Sequence, residues 1–301
     1  MKELSDLFVE CLKRYNNYPQ CDPNTCPLKS YCTAINCEHG NCISCINHIQ
    51  RANNPQFHYA CKKITYHYVL SFFNRFASEI AYIIEYLRPN YLQGKTKLNV
   101  LSLGCGPGSE VYGFIKGLRN KAPQIELDYK GYDLCDAWNE VQNISKECLA
   151  QTPHHVEFYN ENMFGAFEGF DDGCVDMLAL NYLLSDSQKY YNDSGKLKFI
   201  SEIKDFVIDN NVKNILFNDN GYYGKGGLDS GVGMMLRLIK EMKKDSQLTV
   251  FMRCFPTDRY IPSTSWKIYK QGKLLFPPLL ENTLDVNISC CRSKQILVHI
   301  N

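Results

Sequence analysis

An apolar run, a cluster of glycines and a helical segment follow one another in this chain, and that succession limits the folds open to it. The run "KLNVLSL" (97–103) is typical of a buried strand, and "SEVYGFIKGLRN" (109–120) has the apolar spacing of a helix. Between them lies "GCGPG" (104–108). A glycine turn at the end of a buried strand lets a ligand lie against bare backbone. The sequence therefore predicts an α/β protein with a ligand site at this turn.

The chain after residue 90 continues to alternate between strand and helix patterns. Such alternation predicts a parallel sheet with helices on both faces. The last two strands have no clear helix between them, which favours an antiparallel end. We therefore expect residues 91–301 to form a Rossmann-like, seven-stranded, mostly parallel sheet with an antiparallel end. The further strands are predicted at 125–133, 154–160, 175–181, 212–219, 248–255 and 294–300, and the further helices at 137–150, 195–210 and 231–244.

The first ninety residues have a different character. Apolar side chains recur at helical spacing over residues 3–15 and again over 60–88. Residues 16–58 instead hold cysteines among Asn, Pro, Gly and His, and no periodicity is sustained there. The sequence predicts a small, Cys-rich, partly helical N-terminal region over residues 1–90. His67 is expected on the surface of its helix.

Six of the 15 cysteines fall within "CDPNTCPLKSYCTAINCEHGNCISC" (21–45). The N-terminal residues 1–15 carry two glutamates and an aspartate and lack the continuous apolar block of a signal peptide, so a cytoplasmic location is expected. In a reducing compartment, clustered cysteines indicate a metal site rather than disulfides. Structural zinc is favoured, with an iron–sulfur cluster as the alternative. The predicted ligands are Cys21, Cys26, Cys32, Cys37, Cys42 and Cys45, with Cys61, His39, His48 and His58 as completing ligands.

The charge balance narrows the choice of partners. Lys and Arg number 33 and Asp and Glu 32, which gives a net charge of +1. This excludes a global basic field, so a nucleic-acid partner would need a local patch. No window contains the roughly 18 uncharged apolar residues of a membrane span, so no membrane partner is expected. The sequence leaves the oligomeric state open.

Polar side chains follow the next two predicted strands. Asp133 ends "KGYD", where a carboxylate can accept both hydroxyl hydrogens of a ribose. Asn162 in "NENMF" offers an amide to a base edge. The third glycine of the loop falls at 108 and Ser109 follows it, so the loop is GxGxG and not GxGxxG. That spacing disfavours a pyrophosphate ligand, and with it a nucleotide-dependent oxidoreductase.

"VLSLGCGPGSE", "YKGYD" and "NENMF" resemble the first three motifs of the class I S-adenosylmethionine-dependent methyltransferases, over roughly residues 95–301. The resemblance implies S-adenosylmethionine as cofactor. It also implies that Asp133 binds the ribose and that Asn162 lies near the adenine. Glu110 is interpreted as a first-turn acid favoured by the helix dipole, with the ammonium group of the cofactor as the alternative partner. The residues implied at the methionine end are Gly104, Cys105, Gly106 and Gly108.

Asn181 and Tyr182 follow the fourth predicted strand. Enzymes that methylate amino groups of nucleic acids carry Asn/Asp-Pro-Pro-aromatic there, and this chain keeps the Asn and an aromatic without the prolines. The resemblance implies both residues at the transfer site, with Asn181 also beside the cofactor. Asp219 is a candidate base, and its loop "NDNGYYGKGG" (218–227) a candidate lid. We expect in-line methyl transfer to a macromolecule, RNA or DNA ahead of protein. The alternative is a catalytically silent S-adenosylmethionine-binding module that acts as an assembly or sensing partner.

Overall fold

The fold is that of a computed structural model of the 301-residue chain. The structure describes residues 1–19, 21, 26, 41–51, 59–85, 87, 91–170, 173–188, 190–220, 227–246, 248–255, 274–276, 291 and 293–301.

A seven-stranded sheet with the order β3-β2-β1-β4-β5-β7-β6 organises the molecule. The first five strands of the sequence pair in parallel, and β7 lies antiparallel to both β5 and β6. The predicted mostly parallel sheet with an antiparallel end is confirmed. The strands are β1 (Lys97–Leu103), β2 (Glu126–Tyr132), β3 (His155–Tyr159), β4 (Met177–Asn181), β5 (Asn214–Asn220), β6 (Val250–Phe255) and β7 (Ser293–Ile300).

Helices cover both faces of this sheet, because alternate strand residues are apolar on each side. Leu98 and Val100 of β1 belong to one core cluster, while Leu101 and Leu103 belong to the other. The helices are α1 (Lys2–Asn17), α2 (Cys42–Arg51), α3 (Lys62–Glu85), α4 (Ser109–Lys121), α5 (Asn139–Leu149), α6 (Met163–Ala166), α7 (Leu183–Ser187), α8 (Asp193–Asp209) and α9 (Gly231–Met242). The first cluster contains residues of α1, α3, α4 and α5, and the second contains residues of α8 and α9.

Helix α3 packs closely against α4, and two glycines of α4 permit the approach. A Cβ at Gly113 would lie 2.6 Å from the Ala77 carbonyl oxygen, and one at Gly117 would lie 2.6 Å from Ile84 Cβ. The N-terminal helices α1 and α3 thus share a hydrophobic core with the sheet. The division of the chain at residue 90 stays a prediction.

The structure corrects the prediction that residues 16–58 sustain no periodicity, since α2 lies within them. Cys42, Cys45, Ile46 and Ile49 recur at helical spacing, a pattern that is apparent only if cysteine is counted as apolar. Cys42, Ile46 and Ile49 are buried and pack in a cluster with side chains of α3.

The prediction that His67 lies on the helix surface is also wrong. His67 is 4% exposed, and its ring centroid lies 5.6 Å from that of Tyr15 in α1. Burial lowers the pKa of His67 to about 4, so the ring is neutral at physiological pH. Within the described residues, neither ring nitrogen has a hydrogen-bond partner.

Across the ranges that the structure describes, we find no helix with the length and apolar content that a membrane crossing requires.

Candidate functional site

The glycine loop between β1 and α4 is held against the end of β2. The N–H groups of Gly104 and Cys105 donate to the Tyr132 carbonyl oxygen at 2.8 and 3.1 Å. Gly106 has a φ of 52°, and a Cβ there would meet only the Trp138 ring, at 3.9 Å. A Cβ at Gly108 would instead lie 2.6 Å from the Phe158 ring. The loop therefore needs glycine for its backbone conformation, and at Gly106 it leaves open space for a ligand.

Asp133 lies beside this loop, at the carboxyl end of β2. Its Oδ2 accepts the Gly106 N–H at 2.7 Å, and its Oδ1 accepts the Cys135 N–H at 2.8 Å. Burial raises the pKa of Asp133 to about 6, and the two backbone N–H groups oppose that rise. The carboxylate is therefore charged at neutral pH. Because a carboxylate offers about four acceptor sites, each oxygen can still accept a ligand hydroxyl.

A cavity of about 220 Å³ opens in front of the loop and Asp133. Its other walls are the carboxyl ends of β4 and β5 and one face of α3. The structure thus brings together many of the residues predicted from the sequence. The predicted site residues that line the cavity are Gly104, Cys105, Gly106, Asp133, Asn181 and Tyr182.

Three aromatic side chains that sequence reasoning missed form an aromatic wall of the cavity: Tyr59, Tyr68 and Trp138. The Trp138 ring centroid lies 4.7 Å from that of Tyr59 and 5.2 Å from that of Tyr68. Tyr68 belongs to α3 and Trp138 follows Asp133 by five residues. Such a wall offers ring faces on which a planar base can stack.

Glu110 is fully buried beneath the cavity. Its carboxylate accepts hydrogen bonds from Ser102 Oγ at 2.7 Å, from the Tyr129 hydroxyl at 2.8 Å and from Asn181 Nδ2 at 3.2 Å. Burial raises its pKa, although these donors oppose the shift. Glu110 does lie in the first turn of α4, but side-chain donors surround its carboxylate, so the helix-dipole interpretation is insufficient.

Another buried carboxylate, that of Glu79 in α3, is connected to Asn181 through Asn218. Its Oε2 accepts hydrogen bonds from the Tyr182 hydroxyl at 3.0 Å and from Asn218 Nδ2 at 3.1 Å. Asn218 Nδ2 also lies 2.9 Å from Asn181 Oδ1. The two carboxylates are thereby joined through Asn181, Asn218 and Tyr182 into one buried polar network.

This network fixes the corner at which β4 ends. Tyr182 adopts a left-handed backbone conformation with φ 57°, which is strained for a residue other than glycine. Its N–H donates to the Asn218 carbonyl oxygen at 2.7 Å. Both the oxygen and the nitrogen of the Asn181 amide are engaged within the network. Asn181 is therefore placed to position its neighbours, and its amide is already occupied in this arrangement.

Three other predicted residues lie outside the cavity wall: Gly108, Asn162 and Asp219. Asn162 Oδ1 accepts the Phe164 N–H at 3.2 Å and caps α6. Asp219 is buried and accepts the N–H groups of Ser185 and Asn220 at 2.9 and 2.6 Å. Burial raises the pKa of Asp219 to about 6. Its role as base stays a prediction, and the lid prediction falls partly on residues 221–226, outside the described residues.

The predicted metal ligands are described only in part. Cys32 and Cys37, with His39 and His58, lie outside the described residues. Among the residues that are described, no three His, Cys, Asp or Glu side chains group closely enough to hold a metal ion. Cys42 is buried in α2, and burial raises its thiol pKa to about 11. A zinc or iron–sulfur site therefore stays a prediction.

No protein-family model and no curated protein sequence matches this chain. Solved structures similar to it include the plantazolicin methyltransferase BpumL in complex with S-adenosylhomocysteine, at 11% identity and a TM-score of 0.41, over 100% of this chain and 98% of that one. Another is magnesium protoporphyrin IX methyltransferase from Synechocystis PCC 6803, at 11% identity and a TM-score of 0.41, over 95% of this chain and 100% of that one. A third is the human methyltransferase 10 domain-containing protein, at 9% identity and a TM-score of 0.40, over 75% of this chain and 81% of that one.

Proposed function

We propose that the protein is an S-adenosylmethionine-dependent methyltransferase. The observation that carries this proposal is the carboxylate of Asp133, which lies in a cavity wall and is joined to the glycine loop through the N–H of Gly106. A carboxylate with free acceptor sites beside bare backbone suits the ribose of a nucleoside. S-adenosylmethionine, when bound, supplies an electrophilic methyl group.

In this scheme, the residues of the chain bind the cofactor and orient the methyl acceptor. Asp133 accepts the ribose hydroxyls, and the backbone at Gly104 and Gly106 lies along the methionine end. The aromatic wall stacks on the adenine, a role the resemblance had placed near Asn162. The corner at Tyr182 directs the acceptor towards the methyl group, since in-line displacement depends chiefly on positioning.

Calorimetric titration with S-adenosylmethionine and S-adenosylhomocysteine tests this proposal, with Asp133→Ala as the control variant. We expect saturable binding by the wild type, and a loss of about tenfold or more in the variant, which lacks a charge-assisted acceptor. A folded wild type that binds neither compound would contradict the proposal.

For the acceptor, we propose a macromolecule, RNA or DNA ahead of protein, reached through a local surface patch. The sequence Asn181-Tyr182 at the end of β4 supports this, because an amide beside an aromatic ring suits an exocyclic amine. The engaged amide of Asn181 favours a second candidate, a silent module that binds the cofactor without transferring its methyl group. Labelled methyl transfer to total cellular RNA, DNA and protein separates the two, with Gly106→Arg as the inactive control.

We also propose that the Cys-rich segment holds structural zinc, with an iron–sulfur cluster as the alternative. The support is the density of cysteines in residues 21–45 and the chemistry of thiolate ligands. Elemental analysis of the purified full chain, with an assay for acid-labile sulfide, decides between them. Zinc without sulfide supports the first site, and iron with sulfide supports the second. The absence of both metals would contradict each.

A further inference from the structure

Arg75 of α3 places a guanidinium group in the wall of the cavity. Its side chain is 15% exposed. The guanidinium carbon lies 4.7 Å from the centroid of the Phe76 ring and 5.7 Å from that of the Tyr182 ring. Rings at these distances stabilise a cation and fix the plane of the guanidinium. No other Lys, Arg or His is found among the described residues that line the cavity.

The charge of Arg75 is incompletely paired. Its Nε lies 3.8 Å from Oε1 of Glu79, which is beyond hydrogen-bond length. That carboxylate already accepts hydrogen bonds from Tyr182, from Asn218 and, at 3.2 Å, from the N–H of Ser293. Among the described residues, Nε of Arg75 has no hydrogen-bond partner. A buried donor without a partner is costly, so the described residues leave the hydrogen-bonding capacity of this guanidinium incompletely used, and the group itself lines the cavity.

The backbone N–H groups of the glycine loop are not available to an anionic ligand. The N–H groups of Gly104 and Cys105 donate to Tyr132, that of Gly106 donates to Asp133, and that of Gly108 donates to the Cys105 carbonyl oxygen at 2.9 Å. These backbone donors are therefore already engaged. An anionic group in the cavity would find its strongest available donors at Arg75.

We propose that Arg75 forms a carboxylate subsite of this cavity. The planar fork of a guanidinium matches a carboxylate in a bidentate pair, and a lysine at this place would not. Two sources carry that chemistry: the methionine end of the cofactor and an acceptor that bears a carboxylate. The inference rests on the proposed function, since it assigns a role within the same cavity.

The test is calorimetry on the full chain with three probes. S-adenosylhomocysteine carries the aminocarboxylate group, 5′-methylthioadenosine lacks it, and benzoate is added to protein saturated with S-adenosylhomocysteine. The variants are Arg75→Gln, which removes the charge, and Arg75→Lys, which keeps the charge without the fork. Arg237→Gln is the matched control, because Arg237 pairs with Glu241 at 2.8 Å on α9 and does not line the cavity.

If the cofactor supplies the carboxylate, Arg75→Gln weakens S-adenosylhomocysteine binding by about 30-fold or more and methylthioadenosine binding by less than about threefold. If the acceptor supplies it, the affinity for S-adenosylhomocysteine stays within about threefold, and benzoate binds the wild type and not the variant. Either result supports the subsite, provided that Arg237→Gln behaves as the wild type.

The inference is overturned if Arg75→Gln binds S-adenosylhomocysteine as tightly as the wild type and benzoate shows no dependence on Arg75. A wild type that binds neither nucleoside overturns the proposed function itself, so the two failures are distinguishable. Should Arg75→Gln fail to unfold cooperatively, Arg75→Lys makes the same comparison while keeping a charge beside Glu79. A loss confined to the carboxylate-bearing probe is again the supporting result.

Discussion

Asp133 has two opposing requirements at the scale of the single residue. Burial favours its neutral form and raises its pKa to about 6, whereas ribose binding needs the ionised form as acceptor. The residue is therefore ionised at neutral pH, but because its pKa lies close to neutral pH, a small fall in pH protonates much of it. A carboxylate this close to titration makes ligand binding sensitive to mild acid.

We predict that the affinity for S-adenosylhomocysteine falls as the pH is lowered through about 6. Protonation of Asp133 removes a charge and an acceptor site, so the loss grows by up to tenfold for each pH unit below that pKa. Calorimetry between about pH 5 and about pH 8 measures it. Asp133→Asn, which cannot titrate, binds weakly and shows a flat profile. A wild-type profile as flat as that of the variant would contradict the assignment.

Burial also raises the pKa of Asp133 above its unfolded value of 3.8, which has a consequence for stability. The folded state then binds the proton more tightly than the unfolded state. The contribution of this residue to stability therefore increases as the pH falls through about 6 towards 3.8, the opposite direction from its effect on binding.

His67 shows the reverse sign, and we predict that His67→Phe stabilises the protein. Its pKa falls from 6.5 to about 4 on folding, so the stability contribution of this residue decreases as the pH drops from 6.5 towards 4. Removal of the two unpartnered nitrogens raises the free energy of unfolding by about 1–3 kcal/mol. Thermal unfolding at about pH 7.5 and about pH 5 measures this, and the gain is larger at the lower pH. An equal gain at both would show that protonation of His67 is not involved.

At the scale of elements, the packing of α3 against α4 positions the side chains of α3 that line the cavity. We predict that Gly113→Ala lowers the free energy of unfolding by about 1–3 kcal/mol, because the new Cβ would lie 2.6 Å from the Ala77 carbonyl oxygen and from Ile80 Cβ. The displaced α3 carries Tyr68 and Arg75, so the affinity for S-adenosylhomocysteine falls as well.

Gly165→Ala in α6 is the matched control for this prediction. A Cβ there would have no atom within 4 Å, so its effect should stay within about 0.5 kcal/mol. Chemical denaturation of both variants, followed by titration of the folded proteins, measures the difference. Equal stability of the two variants would show that α3 and α4 are not tightly packed.

Elements built on local periodicity were predictable from the sequence. The strand "KLNVLSL" is confirmed at Lys97–Leu103, and the predicted helix 60–88 corresponds to α3 at Lys62–Glu85. Helix α2 was not predictable in the same way, because two of the side chains on its apolar face are cysteines, which are also the predicted metal ligands. The helical periodicity of residues 42–49 is not recognised in the sequence when cysteine is read as a metal ligand and not as a small buried side chain.

The site was predictable only where its residues follow a strand directly. Gly104 and Gly106 of the loop, Asp133 and Asn181 carry that signal, and all of them border the cavity. Arg75 and Glu79 do not follow a strand, because their places depend on how helix α3, which precedes β1, packs on the sheet. The only signal for them was the interruption of an apolar helix face by charged residues.

At the scale of the whole molecule, the cavity is a joint product of distant parts of the chain. Tyr68, Arg75 and Phe76 precede the sheet in sequence, yet they line the same space as the loop after β1 and the corner after β4. Glu79 extends this connection to β7, since its Oε1 accepts the Ser293 N–H across 214 residues of sequence. The N-terminal helices therefore contribute to the site as well as to the core.

The position of β7 between β5 and β6 affects the order in which the chain can fold as the ribosome releases it. Until residues 293–300 emerge, β5 has an open edge and β6 lacks its hydrogen-bonded neighbour. An unpaired strand edge invites pairing with other chains, so the nascent protein passes through an interval of aggregation risk. The carboxylate of Glu79 also receives one of its hydrogen bonds, from the Ser293 N–H, only when this last strand has emerged. The arrival of β7 thus completes both the sheet and the hydrogen bonding of the buried Glu79 carboxylate.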